Sequence, residues 1–135
     1  MRFPSPEWVE KYKEELNKGP WKDSGKEWKY GPVVLVIKND GKIIKDDVYI
    51  LLDIDSGVCR DARIVSKEEG EKAPFVIYGD YGRWKQVIKG ELEPIRGLAQ
   101  GKLQLKGNLA TIVRFVKAAE DMVKTASKIP TEFLD

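Results

Sequence analysis

Apolar and polar positions alternate along this chain in two distinct rhythms, and each rhythm marks a kind of element. Trp8, Tyr12 and Leu16 recur at i, i+4, i+8, a helical face. Ser5 can cap that helix, with Pro6 at its first position and Glu7 near the positive end of its dipole; Gly19-Pro20 ends it. Trp21 to Gly31 mixes aromatic and charged residues and predicts a short helical turn or an irregular connection. Val33 to Ile37 (VVLVI) is an unbroken β-branched and aliphatic run, which predicts a strand buried on both faces. Asn39-Asp40-Gly41 signals a hairpin. Strands are expected over Asp47 to Ile54 and Val58 to Val65, joined by a tight turn at Asp55-Ser56-Gly57. A charged linker, Ser66 to Lys72, leads to a fourth strand over Pro74 to Tyr78.

Gly79 to Gly82 reads as a turn before a helix that reaches about Lys89, with Trp84, Val87 and Ile88 on one side and Gly90 as the stop. Pro94 can open another short helix to about Gln100. Gly101 to Gly107 alternates polar and apolar at period 2, a fifth strand. Asn108 then caps the longest predicted helix, Leu109 to about Lys128. Its charged residues Arg114, Lys117, Glu120, Asp121 and Lys124 share one sector, which leaves an apolar arc of roughly 180°, wider than an ordinary surface helix needs. Such a helix calls for cover on two sides: the sheet on one, and on the other a second helix, another subunit or a ligand. The element order is α+β. The turns between the first strands are too short for parallel crossovers, so the expected fold is a five-stranded, mainly antiparallel sheet covered by helices, with residues 1–135 as a single domain.

Composition narrows the chemistry. With 135 residues, 41% hydrophobic and 34% charged, the chain can build one core under a well-solvated surface. Its net charge of +2 gives no electrostatic reason to expect a nucleic-acid partner. It has no histidine, which removes the commonest general base, the commonest zinc ligand and every Ser-His or Cys-His pair. The lone cysteine, Cys59, excludes an internal disulfide and reads as a packed, inert thiol. Prolines and charges interrupt the amino terminus where a signal peptide needs an apolar run, and no stretch is long enough for a membrane span. A cytoplasmic protein without stable membrane insertion is expected, with transient membrane contact left open. The abundance of Lys and Glu over Asn, Gln, Met and Cys matches the composition of thermophile proteins.

Four motifs resolve to ordinary structure. Asp53-x-Asp55-x-Gly57 with Asp61 has glycine one position early for a calcium loop, and Ile64 where the loop needs glutamate. Gly97-x-x-x-Gly101-Lys102 is one residue short of a phosphate loop and precedes a strand. Trp21, Lys22, Lys26, Trp28, Lys29 and Tyr30 interleave aromatics with bases, but Asp23 and Glu27 dilute their charge. Asp46-Asp47 and Glu68-Glu69 are sequence neighbours that read as solvated surface rather than an acid/base pair.

The segment from Ala73 to Phe115 resembles the sterol carrier protein type-2 family. A strand (Phe75 to Tyr78) is followed by a helix with Trp84 where the family carries a large aromatic, then by the Gly90, Leu92, Pro94 spacing. Gln100-Gly101-Lys102-Leu103-Gln104-Leu105-Lys106-Gly107-Asn108 matches the family's Gly-Lys-apolar-x-apolar-x-Gly-Asn/Asp element, ahead of an apolar helix. Gly79-Asp80-Tyr81-Gly82 departs from the family's Asp/Ser-rich helix start, and Phe133-Leu134-Asp135 carries no peroxisomal address. The resemblance implies a non-catalytic lipid-transfer domain, with no cofactor, that holds a sterol, fatty acid, fatty acyl-CoA or similar ligand in an apolar tunnel between sheet and helices. The over-wide arc of the last helix is what a tunnel wall would look like. On this reading Trp84, Val87, Ile88, Leu92, Ile95, Leu98, Leu103, Leu105, Leu109, Ile112, Val113, Phe115, Val116 and Met122 line or border the cavity. Gln100 is expected to supply a polar contact, and Phe133 and Leu134 to fold back as a plug. The alternative is a homodimeric interaction module, or a regulator of acyl or lipid metabolism, that uses the same apolar helix face.

Overall fold

The computed structural model describes residues 1–135. Strands β1 (Val33–Lys38), β2 (Val48–Asp55), β3 (Val58–Val65), β4 (Phe75–Asp80) and β5 (Gln104–Lys106) form one sheet in the order β3-β2-β1-β4-β5. Three of the neighbouring pairs are antiparallel; β1 and β4 run parallel, with Val33 opposite Phe75 and Val36 opposite Tyr78. The single parallel pair follows from the path of the chain. After β3 the chain has reached one edge of the sheet and must cross back to place β4 beside β1. The turn between β2 and β3 is tight, with Ser56 and Gly57 both in the left-handed region (φ 52° and 78°) that a two-residue hairpin demands.

Helices α1 (Pro6–Leu16), α2 (Trp21–Ser24), α4 (Tyr81–Ile88), α5 (Pro94–Ala99), α6 (Leu109–Val113) and α7 (Val116–Ser127) accompany the sheet, while α3 (Lys67–Gly70) lies in the β3–β4 crossover. Most begin at side-chain caps. Ser5, Asp80 and Asn108 each accept a hydrogen bond from the backbone N–H three residues on, at 2.9–3.1 Å. Glu93 takes two, from Ile95 and Arg96 (3.0 and 2.7 Å).

Five expectations need correction. The β1–β2 connection is longer than a tight hairpin, because the Asp40 carboxylate gathers the N–H groups of Lys42, Ile43 and Ile44 into a loop of its own. Those hydrogen bonds hold Asp40 below the usual carboxylate range. Gly79–Gly82 is no turn, since β4 runs to Asp80, which directly caps α4. The charged linker forms α3, one turn capped by Ser66. The fifth strand is only three residues long. The predicted long last helix is two helices. Phe115 leaves the helical region (φ −113°, ψ 40°) and breaks it. Its charged sector is not uniformly solvated either: Asp121 is buried and pairs with Lys117 at 3.2 Å.

The chain ends meet. Phe3 N–H donates to the Glu132 carbonyl (3.0 Å), and Glu132 N–H to the Met1 carbonyl (2.7 Å). Trp21 and Trp28, the aromatics of the mixed basic segment, are both buried in the core, as are Trp8 and Trp84. No helix is long and apolar enough to cross a membrane.

An apolar cavity between sheet and helices

β1, β2 and β4 present Val33, Leu35, Ile37, Ile50, Leu52, Ile54 and Ile77 toward the helices. Above them lies a cavity of about 130 Å³. Its 25 lining residues are 24 hydrophobic side chains and Pro94. The hollow has a visible cause. Of the five α7 residues in the lining, Ala118, Ala119 and Ala126 are too short to fill the space between helix and sheet, beside the larger Met122 and Val123.

The polar atoms of the lining are already engaged. Trp84 Nε1 donates to the Val36 carbonyl (2.8 Å), and Trp28 Nε1 to the Gly31 carbonyl (2.8 Å). Tyr12 donates its hydroxyl to the Met122 carbonyl (3.0 Å), and Trp8 Nε1 donates to Thr131 Oγ1 (2.9 Å). Burial raises the Tyr12 hydroxyl well above the ordinary tyrosine range, so it stays neutral. Gly79 allows Trp84 to lie against β4. A Cβ there would stand 2.5 Å from Leu103 and 3.2 Å from Trp84 Nε1.

Of the residues expected at the site, Trp84, Val87 and Ile88 of α4, Ile95 and Leu98 of α5, Ile112 and Phe115 at the α6–α7 break, and Met122 of α7 line the cavity. Leu92 and Leu103 are buried but stand outside it, packed around Gly97. Leu105 and Leu109 border a separate surface groove with Leu98 and Leu103. Val113 and Val116 are exposed, because the break at Phe115 turns Ile112 and Phe115 inward and leaves these two outside. Gln100 caps the end of α5 on the surface and gives the cavity no polar contact. Phe133 does fold back, edge-on to Phe3 (6.3 Å between centroids), but it backs a lining residue instead of entering the cavity.

Sequence reasoning missed the first half of the lining: Phe3, Trp8, Tyr12, Trp21, Trp28 and the inner-face residues of the sheet. The signal was the aromatic face of α1 together with the two-sided apolar strand β1. Both read equally well as plain core.

The structure contains no group of three or more His, Cys, Asp or Glu that could hold a metal ion. In the segment that falls short of a calcium loop, Asp53 and Asp61 pair with Arg60 and Arg63, each at 2.9 Å. Cys59 is buried, and that burial pushes its thiol up to about 11.

Comparison with known proteins identifies the family and the fold. The profile described as the SCP-2 sterol transfer family matches residues 15–120. A crystal structure of sterol carrier protein 2 is 33% identical, covering 93% of this chain and 97% of its own, with a TM-score of 0.83. A Thermus thermophilus protein, described as a conserved hypothetical protein and possibly a sterol carrier protein, is 32% identical, covers 95% and 90%, and superposes with a TM-score of 0.84. Domain 2 of the Helicoverpa armigera sterol carrier protein, at 20% identity, 93% and 94% coverage and a TM-score of 0.52, shares the fold. No curated protein matches the chain.

Proposed function

The chain belongs to the SCP-2 sterol transfer family, and from that premise we propose that residues 1–135 form one carrier domain for a single lipid-like ligand, held without catalysis. The observation that carries this reading is the cavity. It is apolar throughout, and its few polar groups are bonded to the protein. A site of that kind distinguishes hydrocarbon from water and little else. The polar end of a fatty acid, acyl-CoA or sterol stays at the mouth, and the apolar body goes inside. The one titratable side chain in the lining is Tyr12, whose hydroxyl is committed to Met122, so the interior offers no group for acid/base or nucleophilic work.

Volume sets a second condition. A cavity of about 130 Å³ is close to the roughly 150 Å³ at which an engineered apolar cavity takes up benzene. A long acyl chain or a sterol nucleus is far larger, so the cavity must widen into a tunnel as the ligand enters. Each methylene that finds room contributes roughly 0.8 kcal/mol, about four-fold in affinity.

Organic extraction of the purified protein, followed by mass spectrometry, should release a co-purifying lipid. A fluorescent fatty acid should bind saturably at one per chain and be displaced by fatty acids with affinity that climbs with chain length, then levels where the tunnel is full. A protein that carries no lipid and displaces no probe is not a carrier.

A further inference from the structure

One cation just outside the cavity has no acid to hold. Arg60 pairs with Asp53 at 2.9 Å, and Arg63 with Asp61 and Glu69 at 2.9 and 2.6 Å. Arg114 pairs with no carboxylate and donates instead to the Tyr30 hydroxyl at 3.0 Å. Its guanidinium lies over the Tyr30 ring, 5.4 Å from the centroid. A single N–H is used there, so most of the donor fork is left for another acceptor. The chain from Gly101 to Ala119 contains no acidic residue that could take it. The position of Arg114 is set by the same break that shapes the cavity. Arg114 ends α6, and the next residue, Phe115, turns inward as cavity wall. Tyr30 packs on Phe115 and Trp28, at 5.9 and 5.3 Å between centroids, and both of those rings line the cavity. One layer of aromatic rings therefore separates the guanidinium from the hollow. α6 gives Ile112 to this wall and, alone among the lining helices, contains no buried residue, so it is the wall held least firmly.

A neutral hydroxyl is a weak partner for a guanidinium, and a carboxylate or phosphate that accepts two N–H groups is a much stronger one. The Tyr30 ring holds the guanidinium in place without using up that capacity. Resting on the carrier reading above, we infer that Arg114 is the head-group residue of the cavity. It takes the carboxylate or phosphate of an anionic amphiphile whose hydrocarbon end lies inward of Trp28, Ile112 and Phe115. The anion replaces the Tyr30 hydroxyl as acceptor, and the Tyr30 ring remains the surface on which the guanidinium lies. The neighbouring cations are engaged elsewhere: Lys106 donates to the Glu71 carbonyl, and Lys117 pairs with Asp121. Selection by charge therefore occurs at the edge of a cavity whose interior has no free polar group to make it. The ligands favoured are anionic amphiphiles over neutral lipids of the same length.

The test uses three probes of equal chain length and different head group: laurate, dodecyl phosphate and dodecanol. Tryptophan fluorescence reads occupancy, since all four tryptophans line the cavity. At neutral pH the wild type should bind one or both anions at least ten-fold more tightly than dodecanol, and the tighter of the two identifies the head group. Arg114→Gln should bring that anion within two-fold of dodecanol. Its affinity for dodecanol should stay within two-fold of wild type, which also shows that it folds. Arg114→Lys, which keeps the charge and loses the fork, should fall between them. Tyr30→Phe should keep the preference. Lys42→Gln, the same change of charge in the loop beyond the other end of β1, should keep it too. Three results would each overturn the inference: dodecanol bound as tightly as both anions, a glutamine variant that retains the preference, or Lys42→Gln losing it as Arg114→Gln does. A wild type that binds dodecanol without preferring an anion removes the head-group role alone. One that binds none of the three probes removes the carrier reading with it.

Discussion

The two faces of the sheet are made from nearly the same residues and end in opposite states. Val34, Val36 and Val76 on the outer face are fully buried with Tyr49, sealed into a small solid cluster. Val33, Leu35, Ile37, Ile50, Leu52 and Ile77 on the inner face look onto a hollow. The strands do not decide this; their cover does. On the outer face the crossover presses Gly70 so close that a Cβ there would stand 2.6 Å from the Tyr49 ring, and Lys106 reaches over to the Glu71 carbonyl at 2.6 Å. On the inner face the hollow lies between the sheet and α7, which lines it with Ala118, Ala119, Met122, Val123 and Ala126. Close-packed protein interiors leave few voids, so a void lined this uniformly is a built feature.

Breaking each face in turn should separate stability from ligand binding. The largest effect is expected from Trp84→Ala, which removes a buried ring and leaves the Val36 carbonyl without its side-chain donor. A loss of about 3–5 kcal/mol in urea unfolding is expected, together with weakened ligand uptake. On the outer face Val36→Ala should cost about 2 kcal/mol yet leave fatty-acid affinity within two-fold. Ala118→Leu should do the reverse. It fills the hollow, weakens fatty-acid binding at least ten-fold, about 1.4 kcal/mol, and changes stability by less than that. If Val36→Ala and Ala118→Leu shift both readouts together, the two faces are not independent.

Glu93→Ala, which strips the double cap from α5, should cost about 1 kcal/mol and raise hydrogen exchange first along Pro94–Ala99. Smallest at neutral pH, and visible only in alkali, is the titration of the sealed groups. Burial, then the hydrogen bond to Glu71, pushes Tyr49 up to about 12 from its ordinary 10. The folded state keeps this proton longer than the unfolded chain does. Its contribution is therefore complete below pH 10 and is lost as pH rises toward 12. Cys59 acts in the same direction between 9 and about 11. Stability should fall with pH above about 9, and Tyr49→Phe should flatten the upper part of that decline.

Much of the frame was legible in the sequence. The caps at Ser5 and Asn108, the turn at Ser56-Gly57 and the doubly apolar run of β1 each require their structure for a local reason. The family element from Gln100 to Asn108 was equally readable. What could not be read was depth. A core residue and a cavity wall have the same pattern, so Trp8 and Tyr12 read as packing, while Trp21 and Trp28 read as part of an irregular connection. The break at Phe115 was hidden because helical periodicity continues through it: Ile112 and Phe115 are three apart, as on an unbroken face. The break reverses the roles of neighbours, sending Val113 and Val116 to solvent. Gln100 stands at the C-terminal end of α5, and a helix end faces water.

The central claim is that one ligand enters the space between the inner sheet face and α7. Methyl NMR of the protein titrated with palmitic acid tests it most directly. The methyl signals of Ile50, Leu52, Ile77, Ile112 and Met122 should move and saturate at one equivalent, while those of Val34, Val36 and Val76 stay still. Saturation with no inner-face shift, or shifts confined to Leu109 and Val113, would contradict it.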